Sequence, residues 1–341
     1  MGISLFTLYI LLEISMHLIL YAFYAELKIK NYFYISGFLL LQQIKLSRYA
    51  NTLNNRIPVA SNSLNSRKIL IYFMKIIRFW SLSTTLLYFL LIQGVLAETD
   101  KFRFAFIGDS GNSAYLGAKQ GLDEANLQGR FLNQNYTMDI INSEDALTTD
   151  YSDYIAVIAA VDRETFQRLS DHLPGKPVFN VWLDDDALRT QCRPNSLHIV
   201  PSRQMKQDAI AQWHKLHPDV VVVAQTWHPD YVKFAARDLN KRFAKTHEVK
   251  MDDAAWAGWA AVKMSSDTIA RQKITGSEKL LSYLKTSLVF DGQMGVDMNF
   301  RDTGQLRQPL LLVADGKITG EAPVRGVSDS LDSLGNTECD K

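Results

Sequence analysis

The 341-residue sequence carries almost no net charge and almost no cysteine. Its 37 basic and 36 acidic residues leave a net charge of +1, so the strongly basic character of a nucleic-acid-binding domain is absent. We therefore expect no nucleic-acid partner. With 47% hydrophobic and 21% charged residues, the composition also excludes a chain that is disordered overall, and the length suffices for two ordinary domains.

Motifs for cofactors and metals are missing as well. No Gly-x-Gly-x-x-Gly follows the first predicted strand, which leaves a dinucleotide site unsupported. The run Asp184-Asp185-Asp186 has a spacing that matches no calcium loop, and a solvated turn is its plainer interpretation. The sequence therefore predicts neither a bound cofactor nor a metal ion.

The N-terminal part differs in composition from the remainder of the chain. Residues 1–97 contain nine basic and two acidic residues, whereas residues 98–341 have a net charge of −6. Within the first part, residues 74–97 have the order of a secretory signal peptide: basic residues at 74–78, an apolar run at 86–92 and Val95-Leu96-Ala97 before acidic residues. This order predicts export through the secretory route.

Residues 1–73 have two interpretations. If translation begins at Met74, they are upstream sequence read in frame. The alternative is a membrane anchor formed by residues 3–25, although Glu13 and His17 near its centre would each be costly in hydrocarbon.

Residues 98–341 alternate between apolar strand patterns and helical spacing. This alternation predicts an α/β fold with a parallel sheet, in which ligand-binding groups collect at the carboxyl ends of the strands. A first lobe is expected over 98–202, with strands at 102–107, 136–141, 154–161, 177–183 and 196–200. A second region, 203–341, is expected to hold helices at 203–215, 231–246, 252–271 and 277–286, with strands at 220–224, 296–300 and 309–313.

Polar residues follow several predicted strands. Asp109, Ser110, Asp162 and Asp184 come at strand ends in the first lobe, and Trp227 with His228 follows the strand at 220–224. An aromatic side chain beside a cleft is a common platform for a small ligand, so we predict that Trp227 contributes to a ligand cleft, with a place in the core as the alternative.

The motif Gly108-Asp109-Ser110-Gly111 also raises two enzyme hypotheses. A trypsin-like triad requires His and Asp before the Ser, and Ser110 comes too early in the exported chain for that order. A Gly-Asp-Ser esterase would need an Asp three residues before a His, and the histidines from His172 to His247 lack it. Neither enzyme pattern is complete in this sequence. A hydrolase that uses Ser110 is kept as the alternative to a binding protein.

Several stretches resemble the type I periplasmic binding proteins of the branched-chain amino-acid class. They are the signal peptide, 102–108, the helix at 117–126 and Gly129-Arg130-Phe131-Leu132 in the first lobe, and Asp253-Ala254-Ala255-Trp256 in the second. The resemblance implies two Rossmann-like lobes with parallel sheets and a small polar ligand bound between them, with Asp253 beside the cleft. It implies a solute-binding protein rather than an enzyme, with an ABC-transporter permease as partner.

Five motifs are more specifically similar to the substrate-binding-protein-like component of pyrroloquinoline-quinone-dependent alcohol dehydrogenase systems. They are 185–189 with Cys192-Arg193, 201–203, 226–229, 300–309 and 331–335 with Cys339. This resemblance implies a link to quinone-dependent alcohol oxidation, with the quinone held by a partner dehydrogenase.

The second lobe departs from the family pattern, because only 220–224 reads as a parallel strand there. A block of βαβ units is therefore expected to be missing near 213–217. Such a truncation would leave Trp256 and Trp259 partly exposed on the helix at 252–271 and would favour self-association.

The cysteines Cys192 and Cys339 are an isolated pair in a chain predicted to be exported, and both lie in family-like motifs. We therefore predict one disulfide between them, with two unrelated thiols as the alternative.

Overall fold

The computed structural model describes residues 99–340. The signal peptide predicted at 74–97 and the extension or anchor predicted at 1–73 lie outside these residues. None of the helices within the described range is long and apolar enough to cross a membrane.

A five-stranded parallel sheet forms the centre of the fold, in the order β2-β1-β3-β4-β5. Its inner strands are built from apolar residues that are buried on both faces, as a parallel sheet between helices requires. The strands are β1 (Asp100–Ile107), β2 (Gln134–Ile141), β3 (Tyr154–Ala159), β4 (Val178–Asn180) and β5 (Ser196–His198). The predicted α/β class is confirmed.

Helices cover the two faces of this sheet unequally. The helix α2 (Arg163–His172) covers one face and packs Phe166 and Leu169 against the sheet. The other face is covered by a larger layer that contains α1 (Ser113–Leu132), α5 (Ala236–His247), α6 (Asp253–Gln272) and α7 (Ser277–Thr286). The short helix α3 (Ala187–Thr190) follows β4.

Helices α1 and α6 approach each other closely through glycines. A Cβ atom added at Gly117 would lie 1.7 Å from the carbonyl oxygen of Ala255, and one added at Gly258 would lie 1.9 Å from that of Ala114. At Gly121 the corresponding distance to the carbonyl oxygen of Trp259 is 2.9 Å. Side chains larger than hydrogen would therefore force the two backbones apart.

This contact changes the interpretation of the long helix. Trp256 and Trp259 are 0% and 2% exposed, so the predicted uncovered tryptophan face is wrong. The physical reason is that α6 packs on α1 and the first sheet and does not depend on a complete second sheet for its burial. The predicted self-association through these tryptophans therefore has no exposed tryptophan surface to support it.

The second sheet is small and antiparallel, in the order β6-β7-β8, with α4 (Arg203–His214) packed beside it. Its strands are β6 (Val223–Gln225), β7 (Leu310–Ala314) and β8 (Lys317–Ala322). The expectation of a second parallel sheet is wrong, because β6 pairs antiparallel with β7.

Two strands predicted in this region also need correction. Residues 220–224 do not form a buried strand: β6 lies at an edge, and Val221 is 82% exposed. Residues 296–300 make only isolated bridges, from Phe290 to Met298 and from Phe300 to Leu306. Asp315-Gly316 forms the hairpin turn between β7 and β8.

The C-terminal segment is fastened along the molecule. Arg301, with a side chain only 1% exposed, donates from Nε to Asp332 Oδ1 at 2.9 Å, and Gln212 of α4 donates to Ser333. Beyond these contacts, Cys339 is joined to Cys192 by a disulfide, with their Cα atoms 5.7 Å apart. The tail therefore ends against the segment that follows α3.

Replacing Gly258 by Ala should destabilise the protein by about 3 kcal/mol, because the new Cβ overpacks the α1–α6 contact. In an ordinary helix interior the same change stabilises by about 1 kcal/mol, so the expected sign is reversed. Urea unfolding measures the difference. The control Gly276→Ala, at a position with no atom within 4 Å of the added Cβ, should change stability by less than about 1 kcal/mol. A Gly258→Ala variant as stable as the wild type would contradict the close helix contact.

Thiol titration of the denatured, unreduced protein should detect no free thiol, because Cys192 and Cys339 are the only cysteines and are paired. Reduction before titration should release two. Two thiols in the unreduced sample would rule out the bridge.

Candidate functional site

The carboxyl ends of β1, β3 and β4 lie side by side, because the pairing aligns Ile107 with Ala159 and Ala159 with Asn180. Two residues beyond this row stand Asp109, Val161 and Trp182. Gly108 makes the turn after β1, at φ +142°, and a Cβ there would lie 2.9 Å from the carbonyl oxygen of Ala160. We call this surface the carboxyl-edge site and define it by Asp109, Ser110, Asp162, Trp182 and Asp184.

The turn after β1 exposes two of the predicted residues. Asp109 and Ser110 are both exposed, and Asp109 Oδ1 accepts the N–H of Gly111 at 2.7 Å. Helix α1 then begins with its own cap, since Asn112 Oδ1 accepts the N–H of Ala114. Because Asn112 caps the helix, the Ser110 side chain is left facing solvent and is available to a ligand.

Asp162 is engaged in capping helix α2. Its Oδ1 accepts the N–H of Thr165 at 3.0 Å, and its Oδ2 accepts the Thr165 hydroxyl at 2.7 Å. These bonds lower the pKa of Asp162, so the carboxylate is charged at neutral pH. The exposed carboxylate contributes negative charge at the edge, but its position is set by the helix.

Trp182 is a site residue that sequence reasoning missed. Its side chain is 49% exposed at the end of β4, where the buried Asn180 orients the turn by accepting the N–H groups of Trp182 and Leu183. The signal in the sequence is an aromatic residue two positions before Asp184, at the end of an apolar run. The strand predicted over 177–183 included Trp182 and so concealed it.

Basic side chains surround the acidic turn that follows. Lys206 Nζ lies 3.2 Å from Asp184 Oδ2, and Arg203 Nε lies 3.5 Å from Asp184 Oδ1. Arg163 pairs with Asp185 at 3.2 Å. The carboxylates of Asp184 and Asp185 are thus partly neutralised, and their turn is held between α2 and α4.

Trp227 is placed in the core. Its indole is 1% exposed, stacks on Trp256 with centroids 6.0 Å apart and donates from Nε1 to Asn240 at 2.8 Å. Ligand contact by Trp227 stays a prediction, and a ligand would reach this ring only after displacing the surrounding residues. His228 is partly buried, and its Nδ1 accepts the N–H of Asp230.

Asp253 links the loop after β6 to the start of α6. Its Oδ1 accepts the N–H of Trp227 at 2.7 Å. Burial raises the pKa of Asp253 to about 6, although the N–H groups of Trp227 and Thr226 and the charge of Lys206 act in the opposite direction. Lys206 pairs with Asp184, and its charge also lowers the pKa of Asp253.

Metal-ligating side chains and cavities were the other features of the described residues that could form a site. Over residues 99–340, no group of three or more His, Cys, Asp or Glu side chains could hold a metal ion. A cavity of about 290 Å³ lies at the opposite, amino edge of the sheet, beside Tyr151, His172 and Lys176. It is separate from the carboxyl-edge site.

Comparisons with known proteins support the fold through structure alone. No protein-family model matches the sequence, and no curated protein matches it. The structure is similar to a periplasmic binding protein from Burkholderia mallei, with a TM-score of 0.57 and 10% identity over 71% of this chain and 100% of that chain.

Two further solved structures are similar. One is a branched-chain amino-acid ABC transporter periplasmic ligand-binding protein from Burkholderia xenovorans, with a TM-score of 0.56, 11% identity and coverage of 64% of this chain and 95% of that one. The other is a leucine-binding protein from Thermotoga maritima, with a TM-score of 0.52, 9% identity and coverage of 64% and 97%. The fold matches that of type I periplasmic binding proteins.

The raised pKa of Asp253 predicts a specific dependence of stability on pH. A carboxyl whose pKa rises from 3.8 to about 6 on folding favours the folded state while it is protonated, and that contribution is lost as the pH rises through this interval. The loss amounts to at most about 3 kcal/mol. Asp253→Asn should remove it, so the stability difference between variant and wild type should grow from pH 3.8 to about 6 and then stay constant.

Urea unfolding across this pH range tests the prediction. The matched control is Asp252→Asn, at the exposed neighbour that caps α6, because Asn keeps the capping bond to Ala255. Parallel curves for Asp253→Asn and wild type would contradict the assignment.

Proposed function

We propose that the protein is an exported solute-binding protein that holds a small polar molecule at the carboxyl-edge site. The observation that carries the proposal is the half-exposed Trp182 after β4, two residues before Asp184 and in the same row of strand ends as Asp109, where α/β sheets bind ligands. The fold shared with ABC transporter substrate-binding proteins supports it. This function requires no catalytic residue.

The chemistry of the site favours a ligand that donates hydrogen bonds and carries a compact apolar part. The exposed indole face of Trp182 offers an apolar platform, and the carboxylates of Asp109 and Asp184 accept hydrogen bonds or a positive charge. The Ser110 hydroxyl adds a donor and an acceptor at the same edge.

In this proposal, the cellular location of the protein is inferred from its sequence. The signal peptide at 74–97 would deliver it to the periplasm, where an ABC-transporter permease would be its partner. The five family-like motifs support a role in uptake or sensing linked to quinone-dependent alcohol oxidation, with a dehydrogenase as the second partner. Most of these motifs supply structural contacts, such as Arg301 to Asp332, so the link rests on sequence likeness.

The hydrolase alternative receives no support from the surroundings of Ser110. In the described part of the chain no histidine is hydrogen-bonded to its hydroxyl, and the similar folds belong to binding proteins. A general base within hydrogen-bond reach would be needed to activate the serine.

Mass spectrometry of small molecules that co-purify with the protein should identify a bound compound. Trp182→Ala and Asp184→Asn should each weaken binding of that compound by about tenfold, the equivalent of about 1.4 kcal/mol, as measured by calorimetry. The matched control is Phe131→Ala, which removes an aromatic side chain that is 89% exposed elsewhere and should leave affinity unchanged. Equal affinity in all variants would place the ligand away from the carboxyl-edge site. Turnover of esters that is lost in Ser110→Ala would favour the hydrolase.

A further inference from the structure

Arg189 connects three segments at the carboxyl edge. Its side chain is buried, and its NH1 donates to the carbonyl oxygens of Leu183 at 2.9 Å and Asp185 at 2.7 Å, in the turn that carries Asp184. Its NH2 donates to Val200 O at 2.8 Å, just after β5, and its Nε donates to Gln305 Oε1 at 2.9 Å. One guanidinium group therefore holds the site turn against the sheet and the loop that covers its edge.

These four acceptors are neutral, and the nearby negative charges of Asp186, Asp184 and Asp185 also favour the buried cation. Burial lowers the pKa of Arg189 to about 10, which still leaves the guanidinium charged at neutral pH. A buried cation with these four bonds has little freedom to move without breaking several of them. Arg189 is therefore one of the groups that fix the turn from Trp182 to Asp185, together with Asn180 and the ion pairs of Asp184 and Asp185.

Arg189 itself lies on a helix with little stability of its own. Helix α3 has four residues, Ala187–Thr190, and a single turn cannot persist in water without tertiary support. Its C-terminal side is held by the tail of the chain: Cys192 is bonded to Cys339, and the N–H of Asp340 donates to Thr190 O at 2.9 Å.

The C-terminal tail, residues 331–340, is attached to the rest of the protein near both of its ends. Upstream, Arg301 and Arg307 both donate to Asp332 Oδ1, and Asp208 of α4 accepts the N–H of Gly335. Downstream, the disulfide is the covalent attachment, and Cys339 is exposed. Cys339 therefore lies at the surface, where a dissolved thiol approaches the disulfide.

We propose that Arg189 is the positioning residue of the carboxyl-edge site and that the Cys192–Cys339 disulfide keeps it in place, so that the oxidation state of this disulfide controls the site. The regulatory meaning of this inference rests on the proposed function. The positioning itself is a property of the chain and is measurable without a ligand.

The redox step requires a dithiol reductant. Its thiolate attacks the Cys339 sulfur, the bond between the two cysteine sulfurs breaks, and Cys192 leaves as a thiolate that takes up a proton. The second thiol of the reductant then attacks the mixed disulfide and releases Cys339, which is protonated in turn. Two electrons and two protons pass to the protein, and the reductant becomes a cyclic disulfide.

Trp182 reports the outcome, because the other tryptophans of the described range are at most 9% exposed. The experiment compares acrylamide quenching of the full chain, oxidised and reduced by dithiothreitol, with the Trp182→Phe variant subtracted as background. Reduction should change the quenching constant of Trp182 by about twofold and leave the buried tryptophans unchanged. Amide exchange over 182–190 should accelerate by about tenfold in the same sample.

Variants separate positioning from general stability. Cys339→Ala should reproduce the reduced state, and Arg189→Ala should give the same Trp182 signal in the oxidised chain. The matched control is Arg193→Ala, on the same segment, whose guanidinium pairs outward with Asp171 and should leave Trp182 unchanged. If Arg189→Ala does not fold, reduced wild-type protein decides the question.

An unchanged Trp182 signal after reduction, or loss of the whole fold on reduction, would overturn the inference. A changed Trp182 signal in a protein that binds no small molecule would support the positioning role and refute the proposed function. The two failures are therefore distinguishable.

Discussion

The close contact between α1 and α6 is the constraint on which the rest of the described structure depends. Gly117 and Gly258 let the two backbones meet at distances that no Cβ atom would permit. Because α6 lies against α1, its tryptophans complete the core of the first sheet. The second sheet can then be small without leaving this long helix uncovered.

Helix α6, which is held against α1, is also bonded to the loop after β6 of the second sheet. Helix α6 begins at Asp253, whose carboxylate accepts the N–H of Trp227 in the loop after β6. The pKa of about 6 shows that this link carries a desolvation cost. A partly buried acid at the junction of two sheets makes stability depend on pH in the range where Asp253 titrates.

Buried polar residues form a hydrogen-bonded group at the carboxyl edge of the first sheet. Asn180, His198 and Gln305 are each at most 1% exposed, and Asn180 Nδ2 lies 3.1 Å from His198 Nδ1. Burial lowers the pKa of His198 well below its usual value, so the ring is neutral. Gln305 connects to this region by accepting from Arg189 and donating to the carbonyl oxygens of His198 and Val200. These hydrogen bonds hold the loops at the carboxyl edge of the sheet in one conformation.

Hydrophobic periodicity and local turn chemistry were enough to predict the α/β class, most helix positions and the polar character of the strand ends. It also singled out Cys192 and Cys339, which the structure joins. The antiparallel direction of β6, the stacking of Trp227 on Trp256 in the core and the exposure of Trp182 emerge only in the folded chain. The physical reason is that strand direction and side-chain burial depend on which distant segment packs against each residue, and local periodicity carries no information about that partner.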